Sequence, residues 1–203
     1  MTIYGHQSFD GIEVVAFDRY GGASTGDFSS FNLAQYVGDD QRNVMANIAQ
    51  AGQLVHSDNV AVLRAEHGST AHQVGPTSGI TELPLGDAAV TDQTGVALLA
   101  LSADCVAAAI VDPVNRVVGV FHAGWKGVLA HVVDATWNQM KALGATAETS
   151  RAVVGPSICG NCYEVQQDRV DEFRDVHPEC VVDSRHLHIA AGIRAQLDTL
   201  ELS

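Results

Sequence analysis

Two histidines and a cysteine carry the chemistry this chain can offer. His67 is followed by Gly68, Cys105 closes Ala103-Asp104-Cys105 between two apolar runs, and His122 opens His122-Ala-Gly-Trp-Lys-Gly127. Each stands where a strand is predicted to end or break, the places from which side chains converge on a cleft. Two imidazoles and a thiolate are donors that zinc prefers, and three protein ligands leave a fourth position for water or substrate. Their spacing matches no short metal-site pattern. Taken singly, a cysteine between apolar strands is ordinarily a small hydrophobe, and a histidine at a strand end a hydrogen-bonded bystander. Only the trio argues for a centre. Gly124 and Gly127 add weight, because glycines at a strand-to-helix turn let backbone amides approach a ligand. Asp104 is the candidate proton carrier, or the carboxylate that orients a histidine; a turn-capping acid is the competing reading. The same residues admit a second chemistry, with Cys105 as nucleophile and His122 as base of a cysteine hydrolase.

Other motifs rank lower. Cys159-Gly160-Asn161-Cys162 is a CxxC with no second CxxC for a zinc ribbon and no thioredoxin-like context, and it reads as a loop. His186-Leu187-His188 is a lone HxH, expected to be exposed. His72, His131 and His177 have no carboxylate or cysteine partner in the sequence reading. Arg19, before Gly21-Gly22, suits an anion or simply the surface. No GxxxxGK[ST] or GxGxxG phosphate loop is present.

The elements that must position these residues follow from periodicity. Strands are predicted at Ile12–Phe17, Asn59–Arg64, Val96–Leu101, Val106–Val111, Val117–Phe121 and Ala152–Gly155, with Asp112-Pro113 as a turn. Helices are predicted over Asp40–Leu54, Gly127–Leu143, Val165–Val176 and His186–Leu200. Closely spaced strands mixed with helices, without regular βαβ alternation, point to an α+β sandwich of layers rather than a Rossmann or TIM architecture.

Composition narrows the function. The chain has 203 residues, 46% of them hydrophobic and 17% charged, and a mean hydropathy of +0.08. One domain with an adequate core follows. With 24 acidic and 11 basic residues the net charge is −13. That excludes a basic grip on nucleic acid or on a membrane surface. No run of about 18 apolar residues is present, and the start, Met1-Thr2-Ile3-Tyr4, lacks the features of a signal peptide. The four cysteines are read as free thiols in a reducing cytoplasm.

Several stretches together resemble the laccase-domain, or YfiH-like, family. Its members are described as multicopper polyphenol oxidases and, in later readings, as purine nucleoside phosphorylases with adenosine deaminase side activity. The matching stretches are Arg19-Tyr-Gly-Gly-Ala-Ser24, Phe31-Asn-Leu33 leading to Val37-Gly-Asp-Asp40, and Glu66-His67-Gly68. Ser102-Ala-Asp-Cys105, His122–Gly127, Gly155-Pro-Ser-Ile158 and Cys162-Tyr-Glu-Val165 complete the set. The resemblance implies an α/β/β/α sandwich and one zinc held by His67, Cys105 and His122. It also implies a nucleoside site lined by Arg19, Asn32 and Asp104, with Trp125 and Lys126 as further substrate-binding candidates. The chain departs from the family pattern at Ala65, where Gln is usual, and at Asn47-Ile48, where Asn-Arg is usual. Lys126 replaces an arginine, keeping charge but losing the bidentate fork. The family's Cys-Thr and SYR-type segments are not reached before Ser203, so the expectation is a single domain, 1–203, lacking that C-terminal segment and a wall of the pocket.

The leading expectation is therefore zinc-dependent phosphorolysis of adenosine or inosine to a free base and ribose 1-phosphate, with deamination as a side activity. The partners implied are nucleoside and phosphate; nothing in these motifs specifies an oligomeric state. The resemblance also implies an alternative, an amidase editing cell-wall precursors through Cys105 and His122. A non-catalytic remnant is the bland reading, against which all three ligands stand. A true laccase needs around ten histidines in paired HxH motifs. Nine histidines and one HxH cannot build it, and copper is expected here only as an adventitious occupant.

Overall fold

Strand alternation sets the layering. In a computed structural model, residues 3–202 are described; Met1 and Thr2, which open the stretch read for a leader, and Ser203, the end of the expected domain, lie outside the described residues. The elements in order are β1 (Ile3–Phe9), β2 (Ile12–Phe17), α1 (Gln41–Gln53), β3 (Asn59–Arg64), β4 (Ala71–Gln73), β5 (Ile80–Leu85), β6 (Ala88–Thr91), β7 (Val96–Leu99), β8 (Val106–Asp112) and β9 (Val117–Ala123). Then come α2 (Trp125–Leu129), α3 (Val132–Ala142), β10 (Arg151–Val154), α4 (Gln167–Val176) and α5 (Ile189–Asp198).

Among the described residues three sheets form: a β1-β2 hairpin, a parallel β5-β3-β7 sheet, and a five-stranded sheet in the order β10-β8-β9-β6-β4. Successive side chains of a strand face opposite sides, and each face finds its own core. Val60 and Val62 of β3 pack with Val44, Ile48 and Ala51 of α1. Ala61 and Leu63, of the opposite parity, pack with Ala89 of β6 and with Leu98 and Val120 in the space between the sheets. On the far side, Val106, Ile110 and Phe121 pack with Val132, Trp137, Met140 and Ile193 of the helices. The result is the expected α/β/β/α sandwich. Fully burying a side chain such as Phe121 contributes about 1.5–3 kcal/mol.

The helices carry their own signals. Asp40 caps α1 by accepting the Arg42 N–H at 2.9 Å, which is worth about 1 kcal/mol. At Gly119 of β9, α3 comes so close that a Cβ would lie 2.9 Å from Met140 Sδ. The helix predicted over Gly127–Leu143 is two helices, broken at His131, whose φ of 54° is left-handed. The pieces before α4 and α5 are loop, so both helices start later than expected, at Gln167 and Ile189. Sequence periodicity also missed β1, β4, β5 and β6. Of these, β4 and β6 are only three and four residues long and are held by ladders rather than by alternation of their own.

Candidate active site

Ladder register brings the chemistry to one end of the five-stranded sheet. In the β8–β9 ladder Ala107 lies opposite His122, so Cys105, which precedes β8, stands beside the end of β9. β6 pairs antiparallel with β9, Ala88 opposite Phe121, which sets Asp87 against His122; the His122 N–H donates to the Asp87 carbonyl at 2.8 Å. The loop after β3 delivers His67 to the same end. Parity does the rest, because Val118, Val120 and His122 all face the space between the sheets.

The ligand atoms of His67, Cys105 and His122 lie within 4.8 Å of one another, the one group of three or more metal-capable side chains among the described residues. The imidazoles meet edge to face, centroids 4.9 Å apart. His67 is exposed, Cys105 half-buried and His122 buried. Gly124 keeps this space open, since a Cβ there would sit 2.9 Å from Cys105 Sγ and 3.4 Å from a His67 ring carbon. A nitrogen–nitrogen–thiolate set around a kept-open space fits a divalent ion of zinc type.

Asp87, absent from the sequence reading, organises the site. Its carboxylate is fully buried. Oδ1 accepts the His67 N–H at 3.0 Å and His122 Nδ1–H at 2.9 Å; Oδ2 accepts the N–H groups of Gly68 at 2.6 Å and Glu66 at 3.2 Å. One carboxylate thus pins His67, whose φ of 64° is left-handed, and orients His122. A carboxylate only accepts, so His122 Nδ1 carries a proton donated to Asp87, and Nε2 is the nitrogen that would ligate a metal once its own proton is displaced. Burial opposes the charge on Asp87, yet these donors outweigh it and hold the carboxyl below its ordinary value. Burial likewise opposes an imidazolium at His122, but hydrogen bonds to Asp87 and Cys105 win and push it up to about 9. The only sequence signal for Asp87 was a lone acid at the start of the buried run Ala88-Ala89-Val90.

The other predicted residues divide. Arg19 and Asn32 line a cavity of about 1550 Å³ onto which His67, Cys105 and His122 open, together with Asp104, Phe17 and Phe28. Asp104 is exposed, with a left-handed φ of 75°. The carboxylate that orients His122 is Asp87 rather than Asp104. Trp125 and Lys126 are not among the cavity-lining residues; the Arg169 guanidinium stacks 3.2 Å from the Trp125 ring centroid. Arg19 donates to the Ser29 carbonyl at 2.6 Å. The loop that carries Arg19 and Asn32 is held by buried Asn47, which accepts from Ala23 N–H at 2.7 Å and donates to Ser24 Oγ and the Asn32 carbonyl. Ile48, which stands where the family usually has Arg, is fully buried in the α1 core. Tyr163, also missed, lies near Cys105: burial and then the Cys105 charge push its phenol up.

The histidines set aside as unpartnered find carboxylates after all, His131 with Asp134 at 3.3 Å and His177 with Glu179 at 3.0 Å. His72 bonds the Leu85 carbonyl at 3.0 Å. His186 and His188 are half-buried rather than exposed, with His186 Nδ1 bonded to Asp183 at 2.9 Å. Among the described residues no helix is long and apolar enough to cross a membrane.

Fold and site define a layered α/β chain with an open centre of two histidines and one cysteine. Residues 13–203 match the family described as multi-copper polyphenol oxidoreductase laccase, and the chain belongs to that family. It is 37% identical over 190 residues to a Streptomyces griseus protein named purine nucleoside phosphorylase ORF3, covering 90% of this chain and 77% of that one. A protein of an unknown prokaryotic organism named adenosine deaminase RL5 is 31% identical, over 84% of this chain and 69% of its own. The crystal structure of a Neisseria meningitidis protein superposes with a TM-score of 0.78 at 26% identity, covering 97% of this chain and 83% of that one.

Proposed function

We propose that this protein is a zinc-dependent purine nucleoside phosphorylase, converting adenosine or inosine and phosphate to the free base and ribose 1-phosphate, with adenosine deaminase side activity. The observation that carries this reading is the His67–Cys105–His122 cluster opening onto a cavity that also presents aromatic faces and a guanidinium. The names of the relatives point the same way. His67, Cys105 and His122 would hold zinc, which when bound supplies Lewis acidity and an activated water. Copper would enter the same ligands only adventitiously.

The remaining roles belong to the chain. Phe17 and Phe28 offer faces against which a purine can stack. Arg19 has five N–H donors, of which Ser29 engages one group, leaving the others for phosphate. Glycosidic cleavage develops oxocarbenium character, so the leaving purine must be protonated; Asp104, exposed on the cavity wall, is the carboxyl assigned to that proton. Asp87 keeps the His122 Nδ1 proton in place throughout.

The test is a product assay on adenosine with and without phosphate, on protein of known metal content, beside Cys105→Ala. Phosphate-dependent adenine release that vanishes in the variant is the expected result. Adenosine left untouched by zinc-loaded protein would sink the reading.

One observation favours a second reading. Cys105, His122 and buried Asp87 stand in the order nucleophile, base and orienting acid, as a cysteine hydrolase requires. Zinc on the thiolate opposes that chemistry. Cleavage of an amide substrate by metal-free protein, abolished by alkylating Cys105, would establish the hydrolase in place of the phosphorylase.

A further inference from the structure

The Cys159–Cys162 motif lies outside the metal centre and plays no part in the chemistry above. Its segment leaves β10 along the start of β8, where the Gly155 N–H donates to the Ala107 carbonyl and the Ile158 N–H to the Asp104 carbonyl, each at 2.9 Å. It then folds back on itself. The Cys162 N–H donates to the Cys159 carbonyl at 2.9 Å, and the Tyr163 N–H to the same oxygen at 3.2 Å. A hydrogen bond from residue i+3 to residue i closes a turn whose outer Cα atoms lie within about 7 Å. A disulfide spans Cα separations of about 4.4–6.8 Å, so the turn already holds the two cysteines at bridging range. Both are free and exposed. From behind, Gly160 packs against His188 and Val182 so tightly that a Cβ would lie 2.7 Å from His188 Cβ, which fixes the turn on its support. No third histidine, cysteine or carboxylate completes a metal set here among the described residues.

We infer that Cys159 and Cys162 form a redox-active dithiol that closes reversibly to an intramolecular disulfide by exchange with a low-molecular-weight disulfide such as oxidised glutathione. The inference is independent of the nucleoside reading. A hydrogen bond from the Cys162 thiol lowers Cys159 from its ordinary value, while the same contact raises Cys162. The backbone N–H groups of Asn161 and Cys162 in the turn also favour a thiolate at Cys159, and no backbone group among the described residues does so for Cys162, so Cys159 is assigned as the attacking sulfur. Its thiolate forms a bond to one sulfur of the small disulfide, whose S–S bond breaks and releases one thiolate. Cys162 then gives its proton to solvent and attacks the Cys159 sulfur, and the second small thiolate leaves. Two cysteines are oxidised and one small disulfide is reduced to two thiols. Cys180 cannot compete: it is fully buried, and burial pushes its thiol up to about 12.

The full chain would be equilibrated in glutathione buffers running from reduced to oxidised, quenched by alkylation, and read by peptide mass spectrometry. The expected result is joint loss of both labels from the Cys159–Cys162 peptide as the buffer becomes oxidising, with recovery on reduction. Cys162→Ser should trap a glutathione adduct on Cys159. The inference is overturned if both thiols stay alkylatable throughout, if each takes up glutathione separately without a cross-link, or if Cys159 bridges to Cys105 instead.

Discussion

Asp87 ties the two histidines of the site together, because one oxygen accepts from the His67 backbone and from the His122 ring. Removing such an orienting partner typically lowers metal affinity about 10–100-fold. Asp87→Asn keeps the shape but turns an acceptor into an NH₂ group facing amides, and on the zinc reading the affinity for zinc should fall by that amount in a chelator-competition titration. Unchanged affinity would show that His122 holds its orientation without the carboxylate. Gly124→Ala isolates sterics from fold. The Gly124 backbone is extended, with φ −87° and ψ −171°, so alanine brings no backbone strain. Its methyl nonetheless enters the space between Cys105 and His67. On the zinc reading, the expected variant melts within a few degrees of the parent and binds zinc about tenfold more weakly; equal binding would mean that His67 and Cys105 are not the ligands.

At the scale of elements, two buried polar side chains hold segments that have no regular structure. Asn47, on the inner face of α1, organises the loop bearing Arg19 and Asn32. Asn47→Ala leaves these groups without partners, at about 1–3 kcal/mol, and on the phosphorylase reading KM should rise more than kcat falls. Asp112 ends β8 and is fully buried. It accepts the Asn115 side-chain amide, the N–H groups of Val114, Asn115 and Thr146 and the Thr149 hydroxyl, between 2.8 and 3.1 Å. Burial opposes its charge, but these donors prevail and lower its pKa from 3.8. A carboxyl depressed in the folded state stabilises fully above its unfolded value and loses that contribution as pH falls through the folded one. Asp112→Asn should therefore be less stable at neutral pH by about 1–3 kcal/mol. Denaturant melts should show the gap to the parent narrowing between roughly pH 5 and pH 2. A gap that stays constant over that range would contradict the ionised, hydrogen-bonded carboxylate.

For the whole molecule the relevant quantity is charge. A net −13 repels phosphate at long range while leaving a neutral nucleoside unaffected. Salt screens such repulsion, with a Debye length of about 8 Å at physiological ionic strength. On the phosphorylase reading, KM for phosphate should accordingly fall as salt is raised from low values, while KM for adenosine stays flat. A phosphate KM that rises instead would mean that the local guanidinium of Arg19 outweighs the field of the whole surface.

Side-chain chemistry was legible in the sequence, because donor type is a property of the residue: two imidazoles and a thiol limit what can be bound wherever the chain puts them. Strongly periodic segments were legible too, as with β3 and α1, since alternation and helical spacing state which face must be buried. Asp87 and the short strands β4 and β6 were not. A carboxylate acquires its role from four donors on two distant segments, and a three- or four-residue strand acquires its structure from a partner's ladder. The closeness of His67, Cys105 and His122, and the cavity they share, were likewise settled by the register of β6, β8 and β9 and by the packing of two sheets. Those contacts form only once the chain is folded, so tertiary structure alone turned three scattered donors into a cluster.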